Sequence, residues 1–299
     1  MNLIAQALAG ASGLGVATLG YSLAEAQAFT TRQVLLPALP SGSGELKVLH
    51  LSDLHLTPAQ TRKINWVSSL IELDPDLVVV TGDFLAHQLA VPAVIEALGE
   101  LLNKPGLFVL GSNDYYAPYL KSPLVYFKKN RASVTKDVRL PTDDLVEELV
   151  SAGWGDLNNK QTHIEINGIK IHARGTDNPH IKKDDYSQVA GPFSAGEFAL
   201  GVTHAPYTRV LGSFANDSAD LVLAGHTHGG QICIPFYGAL VTNCDLPTNQ
   251  AKGLSTFGSN QMPIHVSAGV GTSPYTPIRL ACRPEATLLT LTAKPAVAN

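Results

Sequence analysis

Asp53 and His55 follow the apolar run 46–51 of this 299-residue chain, and Asp83 follows the run 76–81. The run 107–110 ends in Gly111-Ser112-Asn113-Asp114, the run 198–203 meets His204, and the run 219–224 meets Gly225-His226-Thr227-His228-Gly229-Gly230. Five strand-like segments therefore each deliver a carboxylate, an imidazole or a carboxamide. Such donors, with no thiolate among them, suit manganese, iron, zinc or a similar divalent ion without naming one. Asp53, His55, Asp83, His204, His226 and His228, with a candidate seventh from Ser112-Asn113-Asp114, are more donors than one tetrahedral ion uses. Two ions are the more economical expectation, bridged by a carboxylate such as Asp83. Two ions about 3.5–4 Å apart acidify a bridging water to hydroxide and steady an in-line displacement at phosphorus. Phosphoester hydrolysis is the chemistry such a set would perform.

Positioning those groups requires an ordered frame. Short apolar runs alternate with amphipathic stretches, which predicts strand 46–51, helix 59–73, strand 76–81, helix 92–103 and strand 107–110. In the first helix Ile64, Val67, Leu70 and Ile71 share one face, and Asp74-Pro75 ends it. A hairpin follows over 162–173 around Asn167-Gly168, then strand 198–203, helix 206–213, strand 219–224 and short strands near 263–268 and 286–292. This is an α/β organisation. In open α/β sheets ligands bind beyond the carboxyl ends of the strands, where all five junctions would meet.

The motifs together resemble those of the calcineurin-like metallophosphoesterases, D-x-H, G-D, G-N-H-D/E, H and G-H-x-H, over residues 46–293. The form Gly225-His226-Thr227-His228-Gly229-Gly230-Gln231 and the closing stretch 269–291, with Pro277-Ile278-Arg279 and Pro284-Glu285, are similar to the bacterial branch that includes UDP-2,3-diacylglucosamine pyrophosphohydrolases and related membrane-associated phosphoesterases. The resemblance implies a four-layer αββα sandwich and two divalent ions. One ion would sit on Asp53, His55, Asp83 and His228, the other on Asp83, His204, His226 and an Asn. It also implies that Asp83, Asn113 and Asp114 belong to the catalytic set. One motif departs from the pattern, since Ser112 stands at the ligand Asn and Asn113 at the catalytic His. A carboxamide oxygen is the better donor, so Asn113 is expected to ligate after a small loop shift, with Ser112 the alternative. Either way the usual proton donor to the leaving group is missing. General-acid help is worth about 10²–10⁴ in rate, so good leaving groups should be favoured. His87, His172 and His180 are the other histidines that could replace it, each by default a surface or core residue.

Composition bounds the remaining choices. A formal charge of −4 and a pI near 6.2 give no support to a polyanion-binding protein, and no nucleic-acid partner is expected. With 45% hydrophobic and 15% charged residues the chain can bury a sizeable core. Cys233, Cys244 and Cys282 form no C-x-x-C pair, against a disulfide scaffold or a cysteine zinc site. A protein phosphatase of the resembled superfamily would follow Gly82-Asp83 with Asp-Arg-Gly, which Phe84-Leu85-Ala86 does not. A non-catalytic metal-binding scaffold or sensor of the same fold is the alternative that Ser112-Asn113 motivates.

Residues 1–24 hold no charge and 15 of them are hydrophobic, so 1–28 reads as an apolar segment, either a membrane anchor or a surface helix. Residues 29–45, with Pro37, Pro40 and Ser41-Gly42-Ser43-Gly44, read as a linker, and 46–295 as the catalytic domain. The stretch 115–140 carries a net +5, from Lys121, Lys128, Lys129, Arg131, Lys136 and Arg139 against Asp137. It reads as a solvated basic loop or as a rim for anionic substrate or lipid headgroups. The expected partner is a phosphorylated small molecule or lipid, presented at a membrane surface or in the cytoplasm. No protein partner can be inferred from the sequence.

Overall fold

The computed structural model describes residues 15 to 119 and 138 to 295. The first of its two six-stranded sheets holds, in spatial order, β1 (Thr30–Leu39), β14 (Glu285–Ala293), β2 (Leu46–Leu51), β3 (Leu77–Thr81), β4 (Gly106–Val109) and β5 (Gly155–Asp156). The second holds β12 (Gly253–Phe257), β13 (Met262–Val266), β9 (Leu221–Ala224), β8 (Phe198–Val202), β7 (Ile169–Gly175) and β6 (Gln161–Ile166). A small ribbon pairs β10 (Cys233–Ile234) with β11 (Gly238–Ala239). Strands β2 to β5 run parallel, as do β7, β8, β9 and β13, so each sheet gathers its carboxyl ends along one edge.

Strand alternation divides the apolar side chains between two faces. On β2, Leu49 and Leu51 point outward to Ile64 and Val67 of α2 (Thr61–Ser69), with α3 (Val91–Leu98) and α5 (Thr142–Ser151) completing that layer. Leu46 and Val48 point inward and meet Val202 and Leu223 of the opposing sheet. The outer face of the second sheet is covered by α6 (Thr208–Asn216), through Val210, Leu211 and Phe214. Each such Leu, Val or Phe contributes about 1.5–3 kcal/mol by burial, which pins the register against a one-residue slip. The layers are helix, sheet, sheet and helix, the αββα sandwich expected.

One polar link crosses the inner core. His50 of β2 and His265 of β13 approach Nδ1 to Nδ1 at 2.9 Å, and His50 Nε2 lies 3.0 Å from Thr81 Oγ1. Burial depresses both imidazoles, His265 to about 4 and His50 well below its ordinary value. The pair is neutral and fully sealed between the sheets.

The stretch 29–45 read as a linker needs correction: ten of its residues form β1, paired parallel with β14. Pro37 is tolerated there because β1 is the edge of its sheet, where a missing N–H breaks no ladder. Helix α5 and edge strand β12 also arise where no element was expected. The helices read over 59–73 and 92–103 close as short 3₁₀ turns, Leu70–Leu73 and Gly99–Asn103. Helix α1 (residues 15 to 25) precedes β1, and no helix among the described residues is long and apolar enough to cross a membrane. Of the basic rim, Lys121, Lys128, Lys129, Arg131 and Lys136 lie outside the described residues.

Candidate metal centre

Beyond the carboxyl ends of β2 and β3 the two chains stay zipped by backbone. Asp53 N–H donates to Gly82 O, His55 N–H to Asp83 O and Leu56 N–H to Phe84 O, at 2.8–2.9 Å. This pairing holds residues in a conformation that side chains ordinarily avoid. Asp53, His55, Asp83, His226 and His228 all have left-handed backbones, with φ between 43° and 68°. Such strain costs on the order of 1–3 kcal/mol per residue and persists where the surroundings over-determine it, typically at functional sites. Close approach is part of that: a Cβ on Gly225 would lie 1.8 Å from Ser52 Oγ, and one on Gly111 would lie 2.0 Å from Asp83 Oδ1.

The side chains converge. Asp83 Oδ2 lies 3.4 Å from His55 Nε2 and 3.6 Å from His204 Nε2, between two groups of donors. On one side Asp53 Oδ1 is 3.5 Å from His228 Nε2 and 4.0 Å from His55 Nε2, and those two nitrogens are 3.3 Å apart. On the other side His204 Nε2 and His226 Nδ1 are 3.3 Å apart. Their far nitrogens are committed, because His204 Nδ1–H donates to Thr81 O at 2.6 Å and His226 Nε2–H donates to Asn243 O at 3.2 Å. Such outer bonds fix tautomers and aim bare nitrogens inward, as around metal ligands.

Two observations test whether these residues fit a cation. Asp53 Oδ1 is fully buried yet has no hydrogen-bond partner, a desolvation cost that a bound cation would offset. Its other oxygen is satisfied, by Ser52 Oγ at 2.6 Å and His226 N at 3.0 Å. Bare imidazole nitrogens also face one another at van der Waals range, which a positive charge between them would turn from repulsion into attraction. At this centre the groups within mutual ligand reach are Asp53, His55 and His228, and Asp53, Asp83 and His204; a third, His163, His172 and Glu197, lies elsewhere in the fold. The residues fit divalent ions.

The electrostatics agree. Burial, followed by neighbouring histidines and cations, depresses His55 and His226, and burial depresses His228, so these rings stay neutral and free to donate lone pairs. Burial raises Asp83, reinforced by Asp53. Burial opposes charge on His204, but Asp83 and Asp53 outweigh it and raise that ring.

Asn113 sits in α4 (Ser112–Tyr115), a single turn after β4. Its backbone N–H donates to Asp83 Oδ1 at 2.7 Å and its carboxamide nitrogen Nδ2 donates to Asp83 Oδ2 at 2.8 Å, so the amide group, not the expected oxygen, meets the shared carboxylate. Ser112 brings no side-chain contact to the centre among the described residues. Asp114 is oriented elsewhere: its carboxylate accepts N–H bonds from Asp83, Gly111 and Leu85 at 2.8–3.0 Å. Burial, then the charge of Asp83, pushes it up to about 7. The geometry makes it a buried brace beneath Asp83 rather than a group facing the donors.

Two cations beside the centre had no assigned role in the sequence. Lys63 Nζ is buried and donates to Leu54 O at 2.8 Å, His55 O at 3.3 Å and Gln60 Oε1 at 3.0 Å, gripping the His55 turn from behind. Arg279 is wholly buried, and its Nη2 donates to the carbonyls of Ala268, Gly269 and Gly271 at 2.7–3.0 Å and lies 3.5 Å from His228 Nδ1. Gly271 N–H in turn donates to Asp53 O at 2.6 Å, so the closing stretch braces two ligand turns. Of the substitute acids, His87 is exposed, and His172 packs on His163 beside Glu197, with both ring nitrogens already bonded. His180 lies against His226, ring centroids 4.6 Å apart, and its Nδ1 is 3.0 Å from the Tyr207 hydroxyl.

Comparison with known proteins bears on this geometry. The profile of a family described as calcineurin-like phosphoesterase matches residues 46–230. An uncharacterized metallophosphoesterase of Bacillus subtilis, YkuE, is 27% identical over 273 residues, covering 88% of this chain and 85% of its own. A phosphodiesterase of Escherichia coli, YaeI, is 28% identical over 253 residues, covering 82% of each chain. A bovine transmembrane protein with a metallophosphoesterase domain is 26% identical over 283 residues, covering 91% of this chain, which spans 59% of that protein's length.

Proposed function

Because this chain belongs to the calcineurin-like phosphoesterase family, and is thereby a metal-dependent phosphoesterase, we propose that it cleaves a phosphodiester or pyrophosphate bond using two divalent ions. The observation that carries the dinuclear reading is the position of Asp83 Oδ2, 3.4 Å from His55 Nε2 and 3.6 Å from His204 Nε2, shared between the two donor groups. Asp53, His55, Asp83 and His228 would hold one ion, and Asp83, Asn113, His204 and His226 the other. Bound there, the pair would acidify a water and neutralise charge developing at phosphorus.

The chain's own residues supply the rest. Asn113 anchors both oxygens of Asp83, so the shared carboxylate cannot rotate. Asp114 acts as a positioning residue, tying the Asp83, Leu85 and Gly111 amides into one turn. Thr81 O and Asn243 O hold the tautomers of His204 and His226. No imidazole stands at position 113 to protonate a leaving oxygen. Substrates whose leaving group is already a weak base suit this centre, such as a nucleotide-linked pyrophosphate or an aryl ester.

The substrate proposed is a lipid-linked or nucleotide-lipid phosphate. Its support is the uncharged N-terminal segment, together with the membrane setting named for the bovine relative. The test is turnover by metal-loaded protein of an aryl phosphodiester, then of nucleotide-lipid pyrophosphates, phospholipids and cyclic nucleotides. Two bound ions with no turnover of any member would favour a metal-binding scaffold, the reading that Asn113 at the acid's place motivates.

A further inference from the structure

Three segments around His228 carry no charged side chain: residues 15–24, 229–244 and 268–278. They are joined to one another by backbone. Arg279 N–H donates to Ser22 O at 3.0 Å, and the Glu25 carboxylate accepts from the Ala281 and Cys282 amides at 2.9 and 3.1 Å. Leu280 N–H donates to Gln231 O and Cys233 N–H to Leu280 O, at 3.0 and 2.8 Å. Helix α1, residues 279–282 and the β10–β11 ribbon therefore form one adjoining surface.

That surface is apolar in an unusual way. Helix α1 touches the protein only through its last turn, where Ser22 and Glu25 are buried, while residues 15–21 are exposed and Val16, Leu19 and Leu23 form one uncovered apolar stripe. A helix on a water-facing surface ordinarily turns such a stripe inward. On the ribbon, Ile232, Ile234, Tyr237 and Leu240 are exposed, and Phe236 at its tip is completely so. Phe236 also holds a left-handed backbone, φ 67°, which a large side chain seldom adopts. Single exposed hydrophobes are ordinary, but a connected and uncharged set of them marks an interaction surface.

We propose that this face lies in the interfacial region of a lipid bilayer, with Phe236 and Tyr237 inserted and α1 flat against the surface. A bilayer is favoured over a protein partner because the exposed side chains of the three segments are uncharged, with Asp245 and Arg283 only at their borders, and because the apolar set is continuous with an uncharged chain end. Phe and Tyr at a ribbon tip suit the boundary between headgroups and acyl chains. The chain preceding α1 also continues without charge through Leu3, Ile4, Leu8 and Leu14. The ribbon begins five residues after His228, and Arg279 ties the same surface to that ring. A phosphate on a membrane lipid would thus meet the centre without leaving the bilayer. The purpose of the face rests on the lipid-linked substrate proposed above, but its existence is read independently of turnover.

The test is co-sedimentation of the full-length protein with phosphatidylcholine vesicles at low and high salt, beside hydrolysis of a soluble aryl phosphodiester. Wild type should bind equally at both salts. Phe236→Asp with Tyr237→Asp, and separately Leu19→Asp with Leu23→Asp, should each lower the partition coefficient at least about tenfold while leaving soluble hydrolysis unchanged. Wild type that ignores these vesicles, that binds only anionic vesicles at low salt, or that binds as well when either pair is replaced would overturn the proposal. So would a lipid-free dimer dispersed by the Phe236 and Tyr237 changes, since the face would then be a subunit interface. Wild type that hydrolyses the soluble ester without binding vesicles contradicts the docking face alone, whereas wild type that binds vesicles without hydrolysis contradicts the enzymatic reading alone.

Discussion

At the scale of single residues, the donors were legible because each lies in a short motif directly after an apolar run, as Asp53-Leu54-His55 and Gly225-His226-Thr227-His228 do. Lys63 and Arg279 were not, because their partners are backbone carbonyls of Leu54, Ala268, Gly269 and Gly271, which no side-chain pattern advertises. Asn113 yields the sharpest prediction. Asn113→His supplies an imidazole but removes the carboxamide that holds Asp83, so absolute rates should fall while the ratio of alkyl to aryl phosphodiester turnover rises by about 10²–10⁴. Parallel kcat/KM measurements on the two ester types check this, and equal changes in both would refute it. The grip of Lys63 gives a second expectation. Lys63→Met removes the donors to Leu54 O and His55 O, and should weaken ion binding at the Asp53, His55 and His228 group by about 10–100-fold. Metal titration reads that directly, and unchanged affinity would show that the backbone zipper alone holds His55.

At the scale of elements, β2, β3, β4, β8 and β9 were visible as apolar runs because parallel strands are buried on both faces. Edge strands β1 and β12 were not, since they alternate partly exposed residues and carry Pro or Gly. The junctions between strands and loops are where packing meets chemistry. Gly225→Ala drives a Cβ into Ser52 Oγ and towards Asp53 Oδ2, and should cost about 1–3 kcal/mol as overpacking. Denaturant midpoints check the loss, which should come with weakened metal binding because Asp53 must move.

The His50–His265 link gives the pH behaviour of the sandwich. Both rings are held neutral in the fold, while the unfolded chain takes up protons near pH 6.5. Their contribution is therefore complete above that value and is lost as the pH falls through it toward about 4. Between pH 7.5 and 5.5 His265 alone should account for roughly 1.4 kcal/mol. Replacing both by Gln should flatten that part of the stability profile. An unchanged slope in the Gln pair would place the acid sensitivity elsewhere.

At the scale of the whole molecule, Asp53, His55 and Asp83 come from the first sheet and His204, His226 and His228 from the second. Ions held by both would tie the layers together. Ligand at about 100 times its dissociation constant stabilises by roughly 2.7 kcal/mol, so chelation should lower Tm by roughly 5–10 °C for a domain of this size. Calorimetry with and without added manganese measures it, and identical curves would mean that the sheets are joined by packing alone. The sandwich itself could be anticipated from the motifs. The pairing of β1 with β14, and the docking of the last turn of α1 on residues 281 and 282, could not, because both depend on segments more than 250 residues apart in sequence meeting in space.

The central claim is that Asp83 is shared by two ions and that hydrolysis depends on this sharing. Ion content and aryl phosphodiester turnover, measured on the same metal-loaded samples of wild type and Asp83→Asn, address it together. Two ions per wild-type chain, with occupancy of at least one lost and turnover down by about 10³ or more in the variant, is the predicted result. One ion per wild-type chain, or a variant that keeps both ions and its turnover, would contradict it.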